Sequence, residues 1–379
     1  MWYVKALSGK VAVRKMSIRE ISDEQMGNKD FIIAADDAVL VTGAGGFIGP
    51  RLVECLLEVG FRNVLCLVRA SSRTEKLDAI AERWRERAQI SVVRGNLLSR
   101  EDCERITAGV SVIYHLAAGR GEKFYPDAYL NSVVTTRNLL EAAAQSGKLK
   151  RFVSVSSFSV YSNTEKPGGR LLDERCPEEK HSSERGEAYC FAKVKQDEIV
   201  RECCERLGVP YAIVRPGYVY GPGNPPIPGR VGIGTFGVFL HLGGSNTLPL
   251  TYVDNCAEAI ALVGLQPGIT ADVFNVVDDD LPSSRKFLRL YKNNVRKFRS
   301  LYVPHVLSFL LCYVWEKYSV WSEGQLLPAF NRRRWHAYWK KTRYTNAKLK
   351  ASTGWTPRVT TKEGLIRYFE SCRTGSSHA

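Results

Sequence analysis

The chain has little that would suit a metalloprotein, a secreted domain or a membrane span. Its ten cysteines (Cys55, Cys66, Cys103, Cys176, Cys190, Cys203, Cys204, Cys256, Cys312 and Cys372) include no C-x-x-C pair, and its six histidines form no cluster at zinc-ligand spacing. These absences argue against a metal site and against a disulfide framework. Several of the cysteines fall inside apolar runs, where a free thiol behaves as a small buried hydrophobe, so a reducing compartment fits best. The opening MWYVKALSGKVAVRK has no uninterrupted apolar core and no small-residue cleavage site. Secretion is not indicated and a cytoplasmic location is expected. No internal repeat is evident.

Acidic residues are scarce in one place only. Between Ser284 and Lys350 stand 16 Lys and Arg against two acids, Glu316 and Glu323, whereas the rest of the chain holds 38 basic and 37 acidic residues. The net charge of +15 therefore belongs almost wholly to one stretch. Hydrophobic residues at 44% and charged residues at 25% of 379 are ordinary for a globular chain, which excludes a disordered, fibrous or fully membrane-embedded protein.

Residues 1–37 mix charges with short apolar stretches and carry no motif; they read as a leader of unknown role. From Ala38 the pattern is regular. Ala38 to Thr42 predicts a buried strand, Phe47 to Val59 a helix ending at Gly60, and Asn63 to Val68 a second buried strand. The alternation continues through strands at Gln89 to Val93 and Ser111 to Leu116, a helix near Thr136 to Gln145 and a strand at Arg151 to Val155. Helix Glu187 to Leu207, strand Tyr211 to Val214 and a late helix at Lys362 to Ser371 follow. Continuous apolar strands alternating with helices predict an α/β fold with a doubly wound parallel sheet. After Gly217 the Gly- and Pro-rich GYVYGPGNPPIPGR marks a change of texture. The expected division is a dinucleotide-binding domain over 38–216, with later strands returning from the tail, and a mainly substrate-binding lobe over 217–379.

Thr42-Gly43-Ala44-Gly45-Gly46-Phe47-Ile48-Gly49 follows a predicted strand and opens a predicted helix, the context a dinucleotide fingerprint requires. Gly43 suits the tight turn, Gly46 the approach of a pyrophosphate and Gly49 close helix packing, with the helix N-terminus facing the anion. Pro50 is tolerated in a first helical turn. The second strand ends without the acid that would bind the ribose 2′-hydroxyl of NAD. Arg69, Ser71, Ser72 and Arg73 stand there instead, so NADP is favoured over NAD.

Tyr189 and Lys193 lie four residues apart, on one face of a predicted helix. An ammonium near a phenol stabilises phenolate and lowers the tyrosine pKa from about 10, which makes a proton donor and acceptor usable near neutrality. Lys193 can also bind ribose hydroxyls. Ser157, at the end of the strand Arg151 to Val155, is placed to orient a carbonyl or carbinol oxygen. Ser156 and Ser159 are read as capping or packing residues.

In order along the chain, TGAGGFIG, YHLAAG (Tyr114 to Gly119), SVSSFSVY, YCFAK, RPGYVYGPG (Arg215 to Gly223), LPLTYVDN (Leu248 to Asn255) and GWTP (Gly354 to Pro357) resemble the extended short-chain dehydrogenase/reductase superfamily, also called the NAD-dependent epimerase/dehydratase family. The resemblance spans about residues 38 to 371. It implies a Rossmann domain with a smaller C-terminal substrate lobe and a Ser-Tyr-Lys triad of Ser157, Tyr189 and Lys193. It further implies that Gly43, Gly45, Gly46, Phe47, Ile48 and Gly49 bind the cofactor, with Asn96 and Leu97 near adenine. Ala117 and Ala118 then lie along the cofactor, and Pro216 and Gly217 near nicotinamide. A homodimer is a further expectation, since members of the superfamily often dimerise. Two departures stand out: SVVTTRNLLEAA carries Ser132 where the family has Asn, with Asn131 displaced by one, and Asn96 replaces the Asp of a common GDL. No Thr-Asp-Glu replaces the serine segment, which disfavours the sugar 4,6-dehydratase branch.

Ser300 to Trp315 is uncharged for 16 residues, short of the roughly 20 needed to span a bilayer. It reads either as an apolar helix buried in the substrate lobe or as a helix lying in a membrane interface. Peripheral contact with an anionic membrane through residues 285–341, with Trp315, Trp321, Trp335 and Trp339 among the basic clusters, stands beside a solvated basic face. Hydrophobic C-terminal segments of this kind weakly resemble the hydroxysteroid dehydrogenase-like branch. No nucleic-acid motif accompanies the charge, so nucleic acid is not expected as a partner. The expected activity is hydride transfer between a nicotinamide cofactor and a secondary alcohol or ketone of a small-molecule substrate. One alternative is a nucleotide-sugar epimerase, in which Arg230 and the Gly-rich loops serve a diphosphate or are ordinary loop residues. The other is a non-catalytic NADP-binding scaffold or sensor.

Overall fold

Seven short strands, the inner ones apolar because helices cover both faces of the sheet, build the centre of the protein: β1 (Ala38–Thr42), β2 (Asn63–Val68), β3 (Gln89–Arg94), β4 (Val110–His115), β5 (Arg151–Val155), β6 (Tyr211–Pro216) and β7 (Ala271–Val276). All pair in parallel, in the order β7-β6-β5-β4-β1-β2-β3. This doubly wound Rossmann sheet is the expected fold class. It comes from a computed structural model that describes residues 31–119, 121, 124–164, 169–224, 227–235, 237–323, 325–326 and 330–375.

Side chains alternate between the two faces with the two-residue period of a strand. Val39 and Val41 of β1, Val153 and Val155 of β5, and Ala212 and Val214 of β6 enter one core layer, with Leu52 and Leu56 of α1 (Gly49–Glu58) and Ile260 of the helix Val253–Leu265. Leu40, Phe152 and Ile213 enter the opposite layer, with Leu139 of Thr135–Gln145 and Val200 of Ala188–Leu207. Arg151, 3% exposed, ties the sheet to the helix Val253–Leu265. Its guanidinium donates to Val263 O and Gly264 O at 3.1 Å, to Gln266 O at 2.6 Å and to Ile269 O at 2.7 Å. These carbonyls belong to a helix end that lacks intrahelical donors, so the arginine replaces the missing cap.

Differences from the sequence reading have local causes. The first helix starts at Gly49 rather than Phe47 because Gly46 N–H donates to Gly43 O at 2.9 Å and holds the intervening residues in a turn. Helices at Glu75–Trp84 and Arg100–Thr107 cross between strands where the sequence reading placed none. Of the leader, residues 1–30 lie outside the described residues, whereas Ile33 packs into the core and Ile32 N–H donates to Leu265 O at 3.0 Å. The uncharged stretch forms part of the helix His305–Trp321, and it is not the buried lobe helix: only Ser308, Cys312 and Ser319 of it are buried. After β6 follow a three-stranded sheet (Gly232–Thr235, Val238–His241, Ser300–Tyr302) and an aromatic cluster containing Tyr252, Phe287, Tyr291 and Tyr368.

Candidate active site

β1 and β4 lie side by side with Thr42 opposite His115, and the strand order reverses between them. A crevice opens at such a reversal. Here it is a cleft of about 1100 Å³. Gly43, Gly45, Gly46, Phe47, Ile48 and Gly49 form one wall of it. Gly43 has φ +68°, and a Cβ there would sit 2.8 Å from the Ala117 nitrogen; at Gly49 a Cβ would collide with the Ala44 carbonyl. Glycine is thus required by backbone conformation at one position and by close approach at the other. Helix α1 begins with no side-chain cap, with proline in its first turn and with no acid there. Its orphan N–H groups and the bare glycine backbone fit a diphosphate.

The chain turns after β2 with Ser72 N–H donating to Arg69 O at 3.0 Å. Arg69, Ser71 and Ser72 line the cleft, but Arg73 does not. Its place is taken by Arg94 from the end of β3, which lines the cleft and braces the turn by donating to Ala70 O at 2.5 Å. Sequence reasoning missed Arg94, although an arginine at the end of a neighbouring parallel strand is a legible signal. Asn96 and Leu97 line the same end; the Asn96 side chain is engaged locally, with Oδ1 accepting from Leu98 N–H at 3.0 Å.

Ser157, Tyr189 and Lys193 all line the cleft, as do Ala117, Ala118, Pro216 and Gly217. Apart from Arg73, the residues singled out from the sequence for the cofactor and the triad therefore meet in one cavity. Ser157 Oγ accepts from Ser159 N–H at 3.1 Å and caps the turn Phe158–Val160. The capping role expected for Ser156 or Ser159 falls to Ser157, and its own hydroxyl proton is left to donate. Tyr189 and Lys193 sit one turn apart on α2, our label for the helix Ala188–Leu207. Lys193 is 4% exposed; its ammonium donates to Val155 O at 2.6 Å and to Gln196 Oε1 at 2.8 Å, and burial pushes its pKa down to about 8.

Behind Lys193 runs a buried chain that the sequence did not reveal. Gln196 Nε2 donates to Thr136 Oγ1 at 2.9 Å, while Thr136 Oγ1 gives its own proton to Ser132 O at 2.5 Å. Thr136 can then only accept from His115 Nε2, 2.9 Å away, so His115 Nδ1 is the acceptor for Thr42 Oγ1 at 2.8 Å. His115 is neutral, its pKa pushed down to about 3 by burial and then by Lys193. The helix α2 is pinned to β6 by the buried pair Asp197–Arg215, with Arg215 Nη2 2.9 Å from Asp197 Oδ2 and also on Glu178.

The displaced Asn131 falls within a π-helical turn, Leu130–Val134. Asn131 lines the cleft, while Ser132, in the family's Asn position, is buried with Oγ accepting from Gly119 N–H at 2.9 Å. Arg230 and Tyr338 also line the cleft. Arg230 stacks over the Tyr338 ring at 4.9 Å and donates to Ala337 O at 2.6 Å, and Tyr338 OH donates to Glu187 Oε1 at 2.8 Å. Tyr338 was invisible in the sequence because it belongs to the basic tail, 145 positions beyond Lys193.

With this geometry in view, comparisons with known proteins are consistent. The profile of the NAD dependent epimerase/dehydratase family matches residues 39–276. The chain is 30% identical over 189 residues to a cinnamoyl-CoA reductase 1 of Oryza sativa subsp. japonica, covering 48% of this chain and 54% of that protein. It thus spans about half the length of that plant relative. It is 26% identical over 288 residues to N-acetyl-alpha-D-glucosaminyl-diphospho-ditrans,octacis-undecaprenol 4-epimerase of Escherichia coli O157:H7, covering 73% and 78%. The solved UDP-glucuronic acid 4-epimerase from Bacillus cereus in complex with NAD shares the fold, with TM-score 0.65, 20% identity, and coverage of 89% of this chain and 99% of that one.

The buried lysine has a measurable signature. In the unfolded chain Lys193 keeps its ordinary pKa of 10.5, and in the folded chain it loses its proton near 8. Below both values each state is charged and the burial cost stands in full. Between them the unfolded chain binds more protons, so stability rises with pH by up to about 1.4 kcal/mol per unit. Denaturant unfolding of the native chain and of Lys193→Met, from about pH 8 to about pH 9.5, is expected to show the native chain gaining stability relative to the variant. A difference that stays flat or falls contradicts the burial of a titrating ammonium.

Proposed function

The chain belongs to the NAD dependent epimerase/dehydratase family, and from that premise we propose that it is an NADP-dependent oxidoreductase acting on a secondary alcohol or ketone. The observation that carries this reading is the convergence of Ser157, Tyr189 and Lys193 in the cleft walled by the glycine turn. A dinucleotide bound there supplies hydride donation and acceptance at its nicotinamide. The turn from Gly43 to Gly49 holds its pyrophosphate, and the Lys193 ammonium, with two of its three protons committed to Val155 and Gln196, has one left for a ribose hydroxyl. Arg69 and Arg94, with Ser71 and Ser72, suit a 2′-phosphate.

Ser157 donates its hydroxyl proton as a hydrogen bond to the reacting oxygen and so fixes the carbonyl in the cleft. In the reducing direction the Tyr189 phenol gives its proton to that oxygen; in the oxidising direction the phenolate removes the proton from the alcohol. The positive charge of Lys193 favours phenolate and brings this exchange toward neutral pH. The buried chain through Gln196 and His115 keeps the ammonium in position.

A second reading, a nucleotide-sugar epimerase, is favoured by Arg230 on the substrate wall and by the sugar diphosphate in the name of the Escherichia coli relative. The two readings separate in one assay: a reductase consumes NADPH absorbance as product forms, whereas an epimerase makes product at constant absorbance with its cofactor retained.

Replacing Tyr189 with Phe is expected to lower kcat by about 10²- to 10⁴-fold while NADPH affinity, read by fluorescence titration, stays within about twofold. Undiminished turnover removes Tyr189 as the proton donor. For Arg69→Ala, the Kd for NADP should rise by about tenfold or more and the Kd for NAD should hardly change. Equal losses for both cofactors contradict the assignment of the 2′-phosphate site.

A further inference from the structure

The helix His305–Trp321, α3 in our labels, is built inside out. A surface helix normally turns its apolar stripe to the core. Here the residues turned inward include Ser308, Cys312 and Ser319, and those turned outward include Val306, Leu307, Leu310, Leu311, Val314 and Trp321. Val306 is 83% exposed and Trp321 76%, and Leu301 just before the helix is exposed as well. Contiguous exposed apolar side chains on this scale mark a surface that something covers.

What covers it is indicated by charge. From Leu281 to Trp315 the chain holds no Asp or Glu. Arg285, Lys286, Arg289, Arg296, Lys297 and Arg299 are exposed, and among the described residues no carboxylate pairs with any of them. They adjoin the start of α3: the Arg285 guanidinium stacks over the Tyr302 ring at 5.4 Å, and Arg285 N–H donates to Gly244 O, beside which His305 and Tyr302 also pack. Several cations elsewhere in the tail are engaged. Arg332 pairs with Glu316 and Arg333 with Glu179 and Glu184, while Trp339 is buried and Trp335 donates to Ser308 Oγ at 2.9 Å. The surface is thus narrower than residues 285–341: one apolar helix face beside one cluster of unpaired cations.

We propose that this face docks on an anionic lipid bilayer, with α3 lying in the interface and the cations of residues 285–299 against the headgroups. Helices of this kind sink their apolar side roughly 5–10 Å into the headgroup boundary, aided by attraction to anionic lipid. The helix lies along the surface rather than crossing it, since no helix among the described residues is long and apolar enough to span a membrane. A second copy of the chain fits the face less well, because a two-fold contact through α3 brings two uncompensated cation clusters together. The proposal does not depend on the hydride-transfer reading. It does join the membrane side to the cleft, because α3 packs on the helix Arg332–Tyr338, which carries Tyr338 into the cavity.

The test uses the full chain and vesicles of phosphatidylcholine with or without phosphatidylglycerol. Co-sedimentation is expected with the anionic vesicles only, weakening by about tenfold or more as salt rises from about 0.1 M to about 0.5 M. The double variant Leu310→Ser, Leu311→Ser and the triple variant Arg285→Gln, Lys286→Gln, Arg289→Gln should each lose about tenfold in vesicle affinity with unchanged NADPH affinity, which reports an intact fold. Brominated lipid should quench Trp321 fluorescence, and Trp321→Phe should remove that quenching. The proposal is overturned if the native chain ignores anionic vesicles at low salt, if brominated lipid quenches nothing that Trp321→Phe removes, or if sedimentation velocity finds a stable dimer that the leucine variant splits.

Discussion

A positive charge buried beside the end of β5 is the constraint on which the cleft depends. The Lys193 ammonium sits at 4% exposure, and a cation in that position is tolerated only if its protons find acceptors. Val155 O takes one proton, Gln196 Oε1 another, and the pKa falls to about 8 as the remaining cost of burial. Gln196 in turn is held by Thr136, Thr136 by His115, and His115 by Thr42 at the foot of the glycine turn. The lysine and the glycine turn, 150 residues apart in the chain, are therefore two ends of one hydrogen-bonded chain. Losing one member leaves a buried donor or acceptor unpaired, at about 1–3 kcal/mol each.

The sheet supplies the frame that makes this arrangement stiff. Thr42 and His115 are opposed because β1 and β4 are neighbours, and they stand at the cleft because the strand order reverses there. Arg151 binds β5 to the carbonyls that end the helix Val253–Leu265, and the Asp197–Arg215 pair locks α2 to β6 one turn past Lys193. Both bury a guanidinium for orientation, Arg151 on backbone carbonyls and Arg215 in an ion pair that at this depth adds little net stability against its desolvation.

How much of this could be read from the chain follows from the range of each interaction. The strand, glycine turn and helix at Ala38 to Glu58 are local, and the hydrophobic pattern and glycine spacing specify them within a few residues. Tyr189 and Lys193 were legible because a helix puts residues four apart on one face, and Ser157 because it closes an apolar strand. Arg94 was missed although its place at a strand end is a signal, whereas Gln196, His115 and Tyr338 were not legible, since each matters through a partner far away in sequence: Tyr338 reaches Glu187 across 151 positions. The tail was left open for a different reason. An apolar run states that a segment avoids water in some setting, and it does not say whether the protein or another phase provides that setting. Ser308, Cys312 and Ser319, spaced along one face, show which side turns inward, and small residues there leave the large apolar ones outside.

The substrate wall joins the two halves of this account. Tyr338, on the helix Arg332–Tyr338, and Arg230, from the loop before Gly232–Thr235, line the same cleft as Ser157, Tyr189 and Lys193, and that helix also packs on the exposed α3. The most direct measurement of the central claim is a crystal structure of the chain with NADPH bound. The account predicts the pyrophosphate on the turn from Gly43 to Gly49, a ribose hydroxyl within hydrogen-bond reach of Lys193 Nζ, and the Tyr189 phenol beside the nicotinamide ring. A dinucleotide seated elsewhere, or a Tyr189 phenol directed away from the ring, would contradict it.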